Sequence, residues 1–159
     1  MSLKGLTIRR ANETDLDTMV SFNQALFQHD GPFDGELDFS FPDSEGGRKY
    51  FFARIHGEDS LALIASIDGE PVGYLVAAET AGESYRYVAR SAELENMLVG
   101  ENVRGKGVGA KLVDEFIKWC KARSILRVKV SAYAANAEAL RFYEKQGFKN
   151  LSISLEMKI

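Results

Sequence analysis

The run Met97-Leu98-Val99-Gly100-Glu101-Asn102-Val103-Arg104-Gly105-Lys106-Gly107-Val108-Gly109 carries an apolar strand through a string of glycines into a helix. Backbone N–H groups at the start of a helix have no carbonyl partner four residues back. They converge on one point, which the helix dipole makes attractive to an anion. Glycines let a phosphate approach the backbone with no Cβ in the way, and Arg104 and Lys106 add positive charge. A plain glycine turn ahead of a structural helix is the alternative. Three phosphate motifs compete for these residues. Gly100, Gly105 and Lys106 fit a P-loop until Gly107, which stands where the motif needs a magnesium-binding hydroxyl. Gly105, Gly107 and Ala110 fit a loose dinucleotide fingerprint, but the next strand ends Val128-Lys129-Val130-Ser131, with no acid to hold a ribose. The third pattern is Arg104, Gly107 and Gly109, spaced R-x-x-G-x-G.

Downstream, the helix that begins at Gly107 repeats Val108, Leu112, Phe116 and Cys120 every four residues, with Val113 and Ile117 alongside, to about Ala122. A strand follows from Ile125 to Ser131, then a helix from Asn136 to Gln146 and a last strand from Leu151 to Lys158. Upstream, a long strand spans Tyr85 to Val99. Before it, Leu61–Ile67 and Val72–Ala78 form a hairpin turning at Asp68-Gly69. The chain opens with a strand, Leu6 to Arg10, and a helix capped by Asn12 or Thr14 that runs to about Phe27. After an interruption from Asp30 to Gly47, Ser44 caps a second helix, with Tyr50, Phe51 and Ile55 inward and Gly57 ending it. A strand, a helix and a strand from Glu93 to Ser131 imply two parallel strands joined by a crossover helix. Residues 1–159 read as one α/β domain with a mixed sheet.

The R-x-x-G-x-G loop resembles the coenzyme A pyrophosphate loop of the GNAT superfamily of N-acetyltransferases. Asn136-Ala137-Glu138-Ala139-Leu140-Arg141-Phe142-Tyr143-Glu144-Lys145-Gln146-Gly147-Phe148 resembles that superfamily's second signature, N-x-x-A-x-x-F-Y-x-x-x-G-F. The resemblance implies a GNAT fold, with acetyl-coenzyme A (acetyl-CoA) as co-substrate; with two histidines and one cysteine in the chain, no metal is expected. It implies a cleft between Met97–Val99 and Val130–Ala132 where two parallel strands splay. Cofactor contacts then fall on Met97, Leu98, Val99, Arg104, Gly105, Lys106, Gly107, Val108, Gly109 and Asn136, and Asn136 is also a good helix cap. An N–H near Leu98 or Val99 would polarise the thioester carbonyl. Tyr143 matches the tyrosine that, in many relatives, protonates the departing thiolate. Glu95, two residues before Met97, takes the place of a glutamate that acts through water in some polyamine-acetylating relatives.

From Asp30 to Gly47 there are six acids and no Lys or Arg, with Phe33, Phe39 and Phe41 interleaved. In this superfamily the segment between the first two helices helps form the acceptor pocket. Asp34, Glu36 and Asp38 are therefore candidate contacts for a small cationic, polyamine-like amine, and a solvated loop is the plainer reading. Two other readings stay open: acetylation of a protein N-terminus or lysine, and a non-catalytic acyl-CoA binding module.

Net charge is −3, with 20 basic and 23 acidic residues, so no nucleic-acid partner is expected. No apolar run reaches spanning length, and the N-terminus lacks an export signal. With Cys120 the single cysteine, intramolecular disulfides are excluded, and the expected location is the cytoplasm. His29 and His56 are expected at the surface near helix ends. A monomer or a homodimer is expected.

Overall fold

The computed structural model describes residues 3–87 and 90–159. Its five-stranded sheet has the order β1-β2-β3-β4-β5, formed by Leu6–Arg10, Ser60–Ile67, Glu70–Ala81, Arg90–Val99 and Arg127–Val130. The first three neighbouring pairs are antiparallel and β4–β5 is parallel. This is the mixed sheet that the sequence implied. Asp68 (φ 51°) and Gly69 (φ 85°) make the two-residue turn between β2 and β3. Both sit in the left-handed region, which a tight hairpin turn of this hand requires.

Helices cover both faces. α1 (Leu16–Asp30) and α2 (Glu45–His56) pack on one, burying Met19, Val20 and Phe51 against Ala62, Ile64, Tyr74 and Val76. α3 (Val108–Ala122) covers the other with Val108, Leu112, Val113, Phe116, Trp119 and the buried Cys120. α4 (Ala137–Lys145) adds Phe142 and Tyr143, and Phe148 beyond it packs on the same core. Asn12 caps a short 3₁₀ turn at Glu13–Asp15 that leads into α1, and Ser44 accepts from the Gly47 N–H to cap α2. α1 runs three residues past the expected Phe27.

Two expectations are corrected. The long strand begins at Arg90 among the described residues. Tyr85 and Tyr87 are exposed in a turn, and Val88 and Ala89 lie outside the described residues. Leu151 to Lys158 is not a strand: it has no regular structure and every residue is exposed. Its alternation of apolar and polar residues is strand-like, but alternation alone provides no neighbouring strand to hydrogen-bond.

One irregularity in the sheet shapes the site. In the β3–β4 ladder Val76 pairs with Asn96 and Ala77 with Leu94, so Glu95 is an extra, bulged residue. A bulge resets the alternation of side chains. Leu94 points to the α3 core, and Glu95 and Asn96 both reach α2.

Candidate active site

β4 and β5 pair only as far as Leu94–Val130, although β4 continues to Val99. Beyond that point the two strands have parted. The gap opens into a cavity of about 940 Å³. Its walls come from the parted strands (Met97–Val99, Val130–Tyr133), the glycine loop and the start of α3 (Arg104, Gly105, Gly107–Ala110). α4 contributes Phe142 and Tyr143, and α1 and the segment after it contribute Asn23, Phe27, Asp30, Leu37 and Phe41. Every expected cofactor-side residue except Lys106 lines it. The Lys106 ammonium donates to the Asn102 carbonyl at 2.8 Å, outside the wall.

The loop geometry follows from its glycines. Gly105 (φ 73°) and Gly107 (φ 88°) adopt the left-handed conformation that side-chain-bearing residues avoid. Gly107 is the N-cap of α3 and carries no capping side chain, so it leaves the first N–H groups of this helix, which begins in the cavity wall, without a side-chain cap. At Gly109 a Cβ would come within 3.1 Å of the Phe142 ring, so glycine here lets α4 close on the loop. Arg104 is held by its Nε on the Val99 carbonyl at 2.9 Å. Asn136 caps α4, its Oδ1 accepting from the Ala139 N–H at 3.2 Å, which leaves its amide N–H groups for another partner.

Tyr143 is half-buried between Phe142 and Phe148, with ring centroids at 5.1 and 5.6 Å. Burial, and behind it the negative charge of Asp30, pushes its phenol up to about 12. The shift favours the protonated phenol. Glu95 accepts from Arg54 Nε at 2.7 Å, from Arg54 Nη2 at 2.6 Å and from the Tyr50 hydroxyl. Asn96 Nδ2 donates to that same hydroxyl at 2.9 Å. Asn96 Oδ1 is buried with no hydrogen-bond partner among the described residues.

Asp34, Glu36 and Asp38 do not line the cavity. Asp34 accepts from the Tyr133 hydroxyl at 2.9 Å and from the Glu36 N–H, Glu36 pairs with Lys158, and Asp38 caps the turn at Ser40. The acid of this segment that does line it is Asp30, with His29 Nδ1 3.1 Å from its Oδ1. His29 also lines the cavity, although its sequence position gave only a helix end. Asn23, Tyr50 and Asn96 are further wall residues that sequence reading missed. Asn23 is held by its Nδ2 on the buried Tyr74 hydroxyl at 2.9 Å. An alternation pattern cannot show a bulge, so Asn96 read as ordinary strand.

A parted pair of parallel strands, a glycine-capped helix start in the same cavity wall and a tyrosine contributed by α4 suit the handling of a pyrophosphate-bearing thioester. Residues 24–148 match the acetyltransferase (GNAT) family, and the chain belongs to that family of acetyl-CoA-dependent N-acetyltransferases. An uncharacterized N-acetyltransferase of Archaeoglobus fulgidus is 27% identical over 144 residues, covering 91% of this chain and 93% of that one. An N-alpha-acetyltransferase of Sulfurisphaera tokodaii is 25% identical over 156 residues, covering 94% and 84%. Among solved structures, a Bacillus halodurans protein crystallised as a tetramutant superposes with a TM-score of 0.83 at 19% identity, covering 96% and 99%. The aminoglycoside acetyltransferase AAC(6')-Iy, bound to a bisubstrate analogue, gives 0.78 at 16% identity, covering 97% of both chains. No helix among the described residues is long and apolar enough to cross a membrane.

Proposed function

We propose that this enzyme acetylates a small cationic amine, polyamine-like in having an alkyl chain between amino groups. The observation that carries the reading is the acceptor half of the cavity. Asp30 and Glu95 line it with Phe27, Phe41 and Tyr50; Glu95 is paired with Arg54, so Asp30 is the carboxylate left for a cation, and the rings suit its alkyl part. Asp34, Glu36 and Asp38 act from outside the wall as a negative field at the entrance.

Acetyl-CoA sits with its pyrophosphate on the N–H groups from Gly105 to Gly109 and its pantetheine between the parted strands. The bound acetyl-CoA supplies the thioester that the amine attacks. Backbone N–H groups near Leu98 and Val99 face its carbonyl oxygen, and Tyr143 returns a proton to the departing thiolate. Glu95 takes the amine proton through water on its Oε1 side, where Arg54 occupies one hydrogen-bonding position and leaves the other open.

Thiol release from acetyl-CoA across a panel of diamines, aminoglycosides, amino sugars and peptide α-amines tests this reading. Diamines should give the highest kcat/KM. Asp30→Asn should raise their KM by about tenfold, and joint amide replacement of Asp34, Glu36 and Asp38 should raise it less and only at low salt. Peptide α-amines are included because of the N-alpha-acetyltransferase relative. A preference for them, or for neutral amines, overturns the proposal and leaves the enzyme class intact.

A further inference from the structure

Of the chain's two histidines, His56 pairs with Glu13 at the end of α2, and His29 lines the cavity. His29 and Asp30 are the last two residues of α1. Their side chains meet: His29 Nδ1 lies 3.1 Å from Asp30 Oδ1, with 32% and 19% of the two side chains exposed. The Phe33 ring stands 6.1 Å from the imidazole and stacks in turn on Tyr133, whose hydroxyl donates to Asp34. The pair is thus set in a packed cluster at the edge of the cavity. Asp30 is the wall carboxylate left for a cation, since Glu95 is tied to Arg54 and Glu138 is exposed at the start of α4. Its charge reaches across the cavity: after burial, it is what raises the Tyr143 phenol. A carboxylate oxygen accepts from an imidazole Nδ1–H whether the ring is neutral or protonated. What differs is the charge of the pair, a full negative charge with a neutral ring and none with an imidazolium. His29 therefore competes, from inside the protein, for the place that a substrate ammonium takes.

We propose that His29 determines the preference for diamines: a diamine reacts at one nitrogen and docks the other, as an ammonium, on Asp30, and protonation of His29 removes that anchor. This rests on the diamine reading above and adds the residue that tunes it. Imidazole is the side chain whose charge ordinarily changes between about pH 5 and 8. An alkyl ammonium, with an ordinary pKa of about 10.4, keeps its charge across that window. Of the groups facing the pair, Tyr133 and Tyr143 are pushed up to about 12, well above it. Asp34 is bonded to Tyr133 and Glu95 to Arg54, and Arg104, Glu138 and Lys145 complete the charges of the wall. Diamine preference therefore rises with pH as His29 loses its proton. The coupling is reciprocal, so a docked diamine expels a proton from His29.

The test is the ratio of kcat/KM for hexane-1,6-diamine to that for hexylamine, which lacks the second nitrogen, from about pH 5.5 to 8. Steps common to both amines, loss of the attacking nitrogen's proton included, cancel in the ratio. In the wild type it should rise about fivefold, the worth of one partly exposed ion pair. His29→Gln, which keeps a neutral donor beside Asp30, should hold the high ratio throughout. His29→Lys, which keeps a positive charge there, should hold the low one, and Asp30→Asn should leave it low and flat. Titration calorimetry of the diamine into the CoA-bound wild type near pH 6.5 should show proton release as a buffer-dependent heat, absent in His29→Gln. Should the variants fail to fold, the wild-type profile and its heat of proton release decide alone. A diamine preference that stays constant with pH, or one that still rises in the Gln and Lys chains, overturns this inference and leaves the diamine reading in place. A wild-type ratio near one at every pH overturns the diamine reading itself, and this inference with it.

Discussion

In the proposed reaction, Tyr143 and Glu95 work at opposite ends of one proton path. With its phenol pushed up to about 12 by burial, Tyr143 is favoured in the protonated form that a proton donor needs. Tyr143→Phe should lower kcat by about 10²-fold, within the span of general-acid contributions, with acetyl-CoA affinity changed less than threefold. Single-turnover kinetics check this, and unchanged chemistry would assign the proton to another group. Glu95→Gln should cost more at pH 7 than at pH 9. An alkyl amine with an ordinary pKa of about 10.4 has a larger unprotonated fraction at the higher pH and needs the carboxylate less. A loss of kcat/KM equal at both values would make Glu95 a positioning residue instead. Asn96 stands beside them: its Oδ1 is the one buried side-chain acceptor without a partner among the described residues, and a bound water or amine N–H can satisfy it.

Among the elements, the bulge in β4 and the helix that meets it form one unit. α2 supplies Tyr50 and Arg54 one turn apart, and the bulge turns Glu95 towards both and Asn96 towards Tyr50. The Arg54–Glu95 pair is only partly screened by solvent. Arg54→Met should destabilise the fold by roughly 1–2 kcal/mol after allowance for that screening, a drop of a few degrees in Tm. Adding Glu95→Gln should recover part of it, because the unpaired carboxylate is then gone. Thermal melts of the two variants check both signs. In the glycine loop, Gly107→Glu and Gly107→Ala share the strain of a left-handed residue, but only Glu places a carboxylate at the anion site. Acetyl-CoA should raise the Tm of the Ala chain and not of the Glu chain. Equal shifts would remove the pyrophosphate from this loop.

Most of these elements were legible beforehand. Four-residue repeats gave the buried face of α3, Asp68-Gly69 gave the hairpin, and Ser44 and Gly57 bounded α2. The start of β4 and the fate of the tail were not legible, since strand pairing depends on what lies alongside. On the site, the two glycine-bearing signatures pointed to residues that line one part of the cavity. The remaining wall, with Asn23, His29, Asp30 and Asn96, comes from side chains distant in sequence that only packing brings together.

For the whole molecule, buried protons set the behaviour at high pH. Tyr133 and Tyr143 are pushed up to about 12 and Cys120 to about 11, chiefly by burial, and Tyr50 and Tyr74 are pushed higher still. In the unfolded chain these groups release their protons near their ordinary values of 10.0 for tyrosine and 9.0 for cysteine. Above about pH 9 the folded state therefore binds more protons than the unfolded one, and stability falls as pH rises towards 12. Urea midpoints from pH 8 to 11 should decline, and Tyr143→Phe should flatten the upper part of the curve. A flat wild-type profile would contradict these shifts. Cys120 extends the same burial to kinetics. A chromogenic disulfide reagent meets no reactive sulfur in the native chain, so its colour during turnover records liberated CoA alone. In the absence of substrate, the slow appearance of one protein sulfur per chain becomes a clock for the opening of the α3 core.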